Sequence, residues 1–231
     1  MTLEKNIEDV LDRVERAAIA SNRNPEEVKL IAVTKTVDID IMKRAIEYGI
    51  VHVGENKVQE LVRKYEAIGP VVKWHLIGHL QRNKVKYIID KVDLIHSLDS
   101  YRLAEEIDKR AKEINRVVEC LLQVNVSGEE SKYGISVKGA KELLKEIVIL
   151  NNVKIVGLMT MAPHVENQEE TRQYFSALKT LSEEISEIGL ENVEMKYLSM
   201  GMSNDFEIAI EEGASLIRVG SSIFGERDYS K

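Results

Sequence analysis

Lys35 closes the run Lys29-Leu30-Ile31-Ala32-Val33-Thr34-Lys35-Thr36. Leu30 to Val33 is a continuous apolar run of the kind that fits a strand buried on both faces, and it ends abruptly in Thr34, Lys35 and Thr36. A lysine that leaves a dry interior head first can have its pKa lowered by desolvation. The unprotonated amine is then able to form a Schiff base with a carbonyl compound. Taken alone, the segment reads better as a solvated lysine at a strand end. The far end of the chain changes the balance, because Ser199-Met200-Gly201-Met202-Ser203 and Arg218-Val219-Gly220-Ser221-Ser222 have the composition of a phosphate cradle. Gly220 lets backbone approach closely, the N–H groups at and after Ser221 open a short helix whose positive end favours an anion, and Ser203 adds a hydroxyl. An amine, an arginine and two such joints together favour a phosphorylated carbonyl ligand.

The composition narrows the class. The chain has 231 residues, of which 44% are hydrophobic and 31% charged, in the range of ordinary globular proteins. A net charge of -7 argues against a dedicated nucleic-acid binder, which would carry a basic face. The single cysteine, Cys120, sits in an apolar run, so no intrachain disulfide or thiolate-rich metal site is expected. His52, His75, His79, His96 and His164 are scattered without a metal-ligand motif, and no metal is expected. Residues 1–9 lack a basic region followed by a long apolar one, and no later stretch has the length of a bilayer span. The expectation is a cytoplasmic protein with no membrane partner, and a monomer.

The elements that must position these residues repeat with a fixed order: a short apolar run, a polar or glycine-bearing joint, a charged helical segment. The runs read as strands are Leu30 to Val33, Ile50 to Val53, Val71 to Leu76, Asp93 to Ile95, Val117 to Val124, Val153 to Gly157, Glu194 to Leu198 and Ser215 to Arg218. Helices are expected over Ile39 to Tyr48, Lys57 to Ala67, Asn83 to Ile89, Tyr101 to Ile114, Val137 to Leu150, Gln168 to Ile188 and Asp205 to Glu211. Such alternation implies parallel strands joined by right-handed crossovers. Eight strands predict an α/β fold, a single TIM-type (β/α)₈ barrel over residues 1–231 with no second domain. An open doubly wound sheet is the competing architecture, but its nucleotide-binding form would want a G-x-G-x-x-G turn, and none follows these strands. In a barrel every joint after a strand converges on one rim, so Lys35 and the Arg218 to Gly225 joint face one another. Leu3 to Ala20 carries apolar residues at helical spacing and is predicted to be an additional N-terminal helix that covers the gap after the eighth strand.

Several stretches carry a resemblance. Val33-Thr34-Lys35, Gly54-Glu55-Asn56, Trp74 to Lys84, Ser199 to Asp205 and Arg218 to Gly225 resemble the pyridoxal phosphate homeostasis protein family, the segment from Trp74 to Lys84 most specifically. The resemblance implies a fold similar to the N-terminal barrel of alanine racemase, pyridoxal 5'-phosphate as cofactor, and a role in vitamin B6 and amino-acid homeostasis without an established catalytic reaction. Carried over by residue, it makes Lys35 the Schiff-base lysine and Ser203, Gly220 and Ser221 phosphate contacts. Arg218 then faces the pyridine nitrogen, and Asn56 and His79 lie beside the ring, with a structural role for His79 as the alternative. Three functions compete: a protein that holds the cofactor and passes it to pyridoxal-phosphate-dependent apo-enzymes, an amino-acid racemase, and a Schiff-base aldolase. Racemisation needs a base on each face of the substrate α-carbon. In alanine racemase the second base comes from a further domain, for which the sequence has no segment, although Tyr133 or His164 is a potential substitute. Lys132, in the glycine-bearing loop Ser127 to Gly134, is read either as a cation that meets the cofactor on entry and exit or as a solvated loop lysine.

Overall fold

The computed structural model describes residues 2–129 and 132–225. Its strands are β1 Lys29–Val33, β2 His52–Glu55, β3 Lys73–Leu76, β4 Leu94–Leu98, β5 Val118–Asn125, β6 Ile135–Ser136, β7 Val153–Met159, β8 Val193–Ser199 and β9 Leu216–Val219. The helices are α1 Leu3–Ala20, α2 Ile39–Glu47, α3 Val58–Ile68, α4 Tyr101–Glu113, α5 Val137–Ile147, α6 Arg172–Ile188, α7 Phe206–Glu211 and α8 Ser221–Phe224. All pairings are parallel, in the order β4-β3-β2-β1-β9-β8-β7-β5, and β4 also pairs with β5 to close eight strands into a barrel. The two-residue β6 pairs outside the ring, Val124 with Ile135. Its brevity leaves no periodic signal, which is why the sequence reading assigns Ile135 and Ser136 to no element.

The apolar pattern sorts into two layers. Ile31, Leu94, Leu121, Val156, Met159 and Leu216 form one buried cluster, and residues from so many different strands can meet only inside the ring. Alternate residues such as Ala32, Val53, Trp74 and Ile155 pack outward with the helices. Ile31 stands opposite His52 on one side and Arg218 on the other, so all three point inward, and the barrel is filled by polar as well as apolar side chains.

The expected N-terminal helix is present over Leu3–Ala20, started by Thr2, whose hydroxyl accepts from the Lys5 N–H. It buries Ile7, Val10, Val14, Ala17 and Ala18. Arg13 makes a two-pronged pair with Glu207 of α7 at 2.9 and 2.8 Å, and the Asn6 amide donates to the Ile223 carbonyl of α8 at 2.9 Å. α1 therefore covers the seam after β9. Two helical expectations are altered. The segment after β3 forms a 3₁₀ turn over Arg82–Tyr87, not an α-helix over Asn83 to Ile89; residues three apart eclipse in this tighter coil, which stacks Val85 and Ile88 into the core together. Gln168–Thr171 is likewise 3₁₀, with the Asn167 side chain accepting from the Glu169 N–H, and the α-helix begins at Arg172. Among the described residues no helix is long and apolar enough to cross a membrane, and no group of three or more His, Cys, Asp or Glu is arranged to hold a metal ion.

Gly157 lies where β7 and β8 shift register, with φ of 148°. A Cβ there would fall 1.9 Å from the Tyr197 carbonyl oxygen, a contact with backbone that no rotamer change relieves. Gly157→Ala is expected to destabilise the barrel by about 3 kcal/mol or more, combining backbone strain and overpacking. An unchanged urea midpoint would refute this account of the β7–β8 seam.

Candidate functional site

The loops that follow the strands enclose a cavity of about 550 Å³ on the C-terminal rim of the barrel. Its wall includes Lys35 after β1, Asn56 after β2, Ser203 after β8, and Arg218, Gly220 and Ser221 from β9 and α8. Met161 to His164 and Gln168, after β7, complete it with Met202, Asn204 and Asp205. Six of the seven residues singled out in the sequence thus share one wall.

Lys35 is half-buried and stands directly on a buried polar cluster. The Lys64 ammonium, wholly buried, donates to the Thr34 carbonyl at 2.6 Å and to Glu55 Oε1 at 2.7 Å, and reaches Glu60 at 3.3 Å. Thr34 Oγ1 donates to the same Glu55 oxygen at 2.6 Å, and the Thr36 N–H donates to Glu60 at 2.8 Å. Burial raises the Glu55 carboxyl above its ordinary value, against the opposing pull of Lys64 and Thr34. Thr36 takes φ of 64°, an unusual backbone for a β-branched residue, and both neighbours of Lys35 are held by this cluster. The strand end that carries the amine is thereby fixed from below.

Arg218 is 4% exposed. Its Nη1 donates to Ser199 Oγ at 2.5 Å and Nη2 to the Thr160 carbonyl at 2.8 Å, so the guanidinium is braced from β8 and the end of β7. Burial lowers its pKa to about 10, with Asp205 acting the other way, and it remains a cation near neutrality. Burial also raises the Asp205 carboxyl, whose Oδ1 accepts from the Met202 N–H at 2.6 Å and shapes the loop after β8. Ser203 Oγ accepts from the Gly220 N–H at 3.3 Å, which ties the two anion-type loops together. A Cβ at Gly220 would lie 3.3 Å from that of Val33, so glycine lets this loop pack against the end of β1. α8 begins at Ser221, in the cavity wall, and the first N–H groups of a helix have no intrahelical acceptor. Asn56 Oδ1 is buried without a hydrogen-bond partner among the described residues.

His79 is placed differently. It is exposed, outside the cavity wall, stacked on Tyr133 with ring centroids 4.2 Å apart and 3.8 Å from an Asp99 oxygen. Lys132 lies 3.1 Å from a Glu129 carboxylate oxygen, beside residues 130 and 131, which are outside the described residues. His164, unlike Tyr133, does line the cavity. Sequence reasoning missed Glu55 and Lys64 as partners, Thr160 and Ser199 beneath Arg218, and Asp205 as the loop brace. The available signal was Glu55 itself, a carboxylate closing an apolar strand just before Asn56.

The alanine racemase N-terminal domain family matches residues 11–228. The pyridoxal phosphate homeostasis protein of Aquifex aeolicus is 47% identical over 95% of this chain and 96% of its own length. Among solved structures, an unknown protein from Bifidobacterium adolescentis superposes with a TM-score of 0.90 at 36% identity, covering 96% of this chain and 94% of that one. PipY of Synechococcus elongatus, solved with PLP bound, gives 0.81 at 36% identity over 92% and 100% of the two chains. The fold and the match define an alanine-racemase-type barrel. Within that class, the chain belongs to the pyridoxal phosphate homeostasis protein family.

Removing one partner of a buried ion pair leaves the other uncompensated, at a cost of roughly 3–5 kcal/mol. Lys64→Met is expected to lose about that much stability in chemical denaturation, and Glu55→Gln added to it to recover part of the loss. A loss under about 1 kcal/mol would remove the pair from this account.

Proposed function

We propose that the rim cavity binds pyridoxal 5'-phosphate, with Lys35 as its covalent attachment point, and that the chain serves cofactor homeostasis by holding and releasing it to apo-enzymes. The observation that carries this reading is the convergence of Lys35, Arg218 and the Ser203–Gly220–Ser221 joint on one cavity. When bound, the cofactor supplies an aldehyde that an amine can capture reversibly and a phosphate that N–H and hydroxyl donors can hold. The donor set fits it: an amine on a fixed strand end, a braced cation, a hydroxyl and a helix start for an anion, and at Asn56 a buried acceptor that no group among the described residues satisfies. His79 lies outside the cavity wall, and its proposed place beside the ring rests on the family resemblance alone. The proposal is of a protein that works as a monomer.

The chemistry of Arg218 favours binding over catalysis. A guanidinium only donates, so a ring nitrogen facing it stays unprotonated, and an unprotonated ring is a poorer electron sink than one paired with a carboxylate. Its two bonds, to Ser199 and Thr160, hold it in the orientation in which it donates. The racemase reading retains one specific support, His164 in the cavity wall, where a second base would have to stand.

Two measurements test these roles. Borohydride reduction of the cofactor-loaded protein, followed by peptide mapping, is expected to label Lys35, and Lys35→Ala to lose the yellow absorbance band while retaining weaker noncovalent binding. A label confined to another lysine sinks the attachment point. In D₂O, solvent deuterium should enter the α-carbon of a panel of amino acids far more slowly than about 1 per second, the lower edge of ordinary turnover. Faster exchange that disappears in Lys35→Ala would make the protein an enzyme.

A further inference from the structure

Three successive strands, β2, β3 and β4, each point one histidine into the barrel. Ile31, which faces inward, stands opposite His52; His75 stands opposite the inward Leu94; and His96 follows Leu94 by two residues. The rings touch in order. His52 Nδ1 is 3.0 Å from His75 Nε2, His75 Nδ1 is 2.9 Å from His96 Nε2, and His96 Nδ1 is 2.9 Å from Ser199 Oγ, the oxygen on which Arg218 donates. At the other end, His52 and His75 line a second cavity of about 350 Å³ at the opposite mouth, beside Lys29, Lys73, Asp93 and Tyr197. His96 and Ser199 are fully buried and His75 is 4% exposed, so the row is dry above its lower end.

We propose that His52, His75, His96 and Ser199 form a two-state hydrogen-bond relay that couples the occupancy of Arg218 at the rim cavity to the hydrogen-bonding state of His52 at the opposite mouth. The ligand taken for Arg218 is the one proposed above, and to that extent the inference rests on that reading.

The rings are neutral near pH 7. Burial holds the His75 pKa at about 3, with His52, Lys29 and Lys73 opposing its charge as well. His96 is pushed well below its ordinary value by burial, His75 and Arg218. Burial also lowers His52, with Lys29 and Lys73 acting the same way and Asp93 against them. A neutral imidazole has one N–H and one acceptor nitrogen, so the tautomer of each ring dictates that of the next. Arginine only donates, so Ser199 Oγ accepts from Arg218; that donation polarises the hydroxyl and favours its hydrogen pointing to His96 Nδ1 over acceptance of a second N–H. His96 Nε2–H then donates to His75 Nδ1, His75 Nε2–H donates to His52 Nδ1, and His52 presents Nε2–H at the lower mouth. In the opposite state all three carry Nδ1–H, Ser199 accepts from both sides, and His52 Nε2 becomes an acceptor. Mixed states bury facing N–H pairs or facing lone pairs, each a penalty of about 1–3 kcal/mol. The two states hold the same number of protons: each ring exchanges its hydrogen on Nε2 for one on Nδ1, through water that reaches the row in local openings of the barrel. The net charge is unchanged.

A ligand acceptor that shares the Arg218 guanidinium weakens its polarisation of Ser199 and so lowers the bias toward the first state. The two ends bias one two-state element, which is the physical requirement for coupling, and the coupling is reciprocal.

Long-range ¹H–¹⁵N spectra of the full chain labelled at histidine test the relay. In the ligand-free protein near pH 7, His75 and His96 are expected as Nε2–H tautomers; either found as Nδ1–H overturns the proposal, whatever the ligand. On loading with pyridoxal 5'-phosphate, monitored by its absorbance, the His52 nitrogen shifts should move, and His75→Phe should bind the cofactor while abolishing that movement. A bound cofactor with unmoved His52 shifts in the unsubstituted protein also overturns it. His52→Ala should change cofactor affinity about fivefold, at the low end of ordinary coupling. If no cofactor band forms under any condition, the binding reading fails, and the ligand-free tautomers alone decide the relay.

Discussion

The cavity depends on a buried ion pair that lies beneath it. Glu55 and Lys64 are both fully buried, and between them they hold the carbonyl and hydroxyl of Thr34 and, through Glu60, the N–H of Thr36. Such a pair is a poor source of stability, since the desolvation of two charges offsets most of their attraction. Glu55 Oε2 even lacks a hydrogen-bond partner among the described residues. Its effect is positional: one strand end, one loop and one helix are tied to a common point, and the residue between the two tied threonines is Lys35. A reacting amine gains from being held on a rigid element more than from any single contact it makes.

Arg218 completes the arrangement from the far side of the β1–β9 seam. Its backbone N–H donates to the Gly201 carbonyl and its side chain to Ser199 and Thr160, so three consecutive parts of the rim are referred to one residue. Burial lowers its pKa, yet to a value still well above neutrality, so the charge survives on a side chain that is almost wholly buried. A fixed cation of this kind selects ligands that present an acceptor, and it discourages any chemistry that needs a proton at that acceptor.

Much of this was legible in the sequence where local pattern carried it. The strand–joint–helix rhythm gave the barrel, and Lys35 stood out because it ends a doubly buried apolar run. The glycine and serine joints at Ser199–Ser203 and Gly220–Ser222 stood out because few other backbones suit an anion. Lys64 did not, since a lysine within a charged helical stretch reads as solvent-facing until the fold buries it. The histidine row was invisible for a related reason: His52, His75 and His96 meet across neighbouring strands, and their spacing along the chain depends on loop lengths that no period fixes. His79 was placed at the cavity by motif, but its position is set by the loop after β3, where Gly78 passes so close to the Asn56 carbonyl that a Cβ would lie 2.3 Å away. Loop packing of that sort leaves little trace in composition.

The contacts between α1 and the last two helices join residues at the two extremes of the chain. Asn6 and Ile223 are separated by 217 positions, Arg13 and Glu207 by 194, and β1 finds its second neighbour only in β9. During synthesis, β1 therefore waits with one edge unpaired, and the apolar face of α1 lacks the helices it packs against, until nearly the whole barrel has left the ribosome. Topologies with such sequence-distant closure fold slowly, and their open edges are the places where misassembly begins. The same seam that brings Lys35 to Arg218 makes the closing of the ring a late event, so the folded barrel and a competent cavity come into being together.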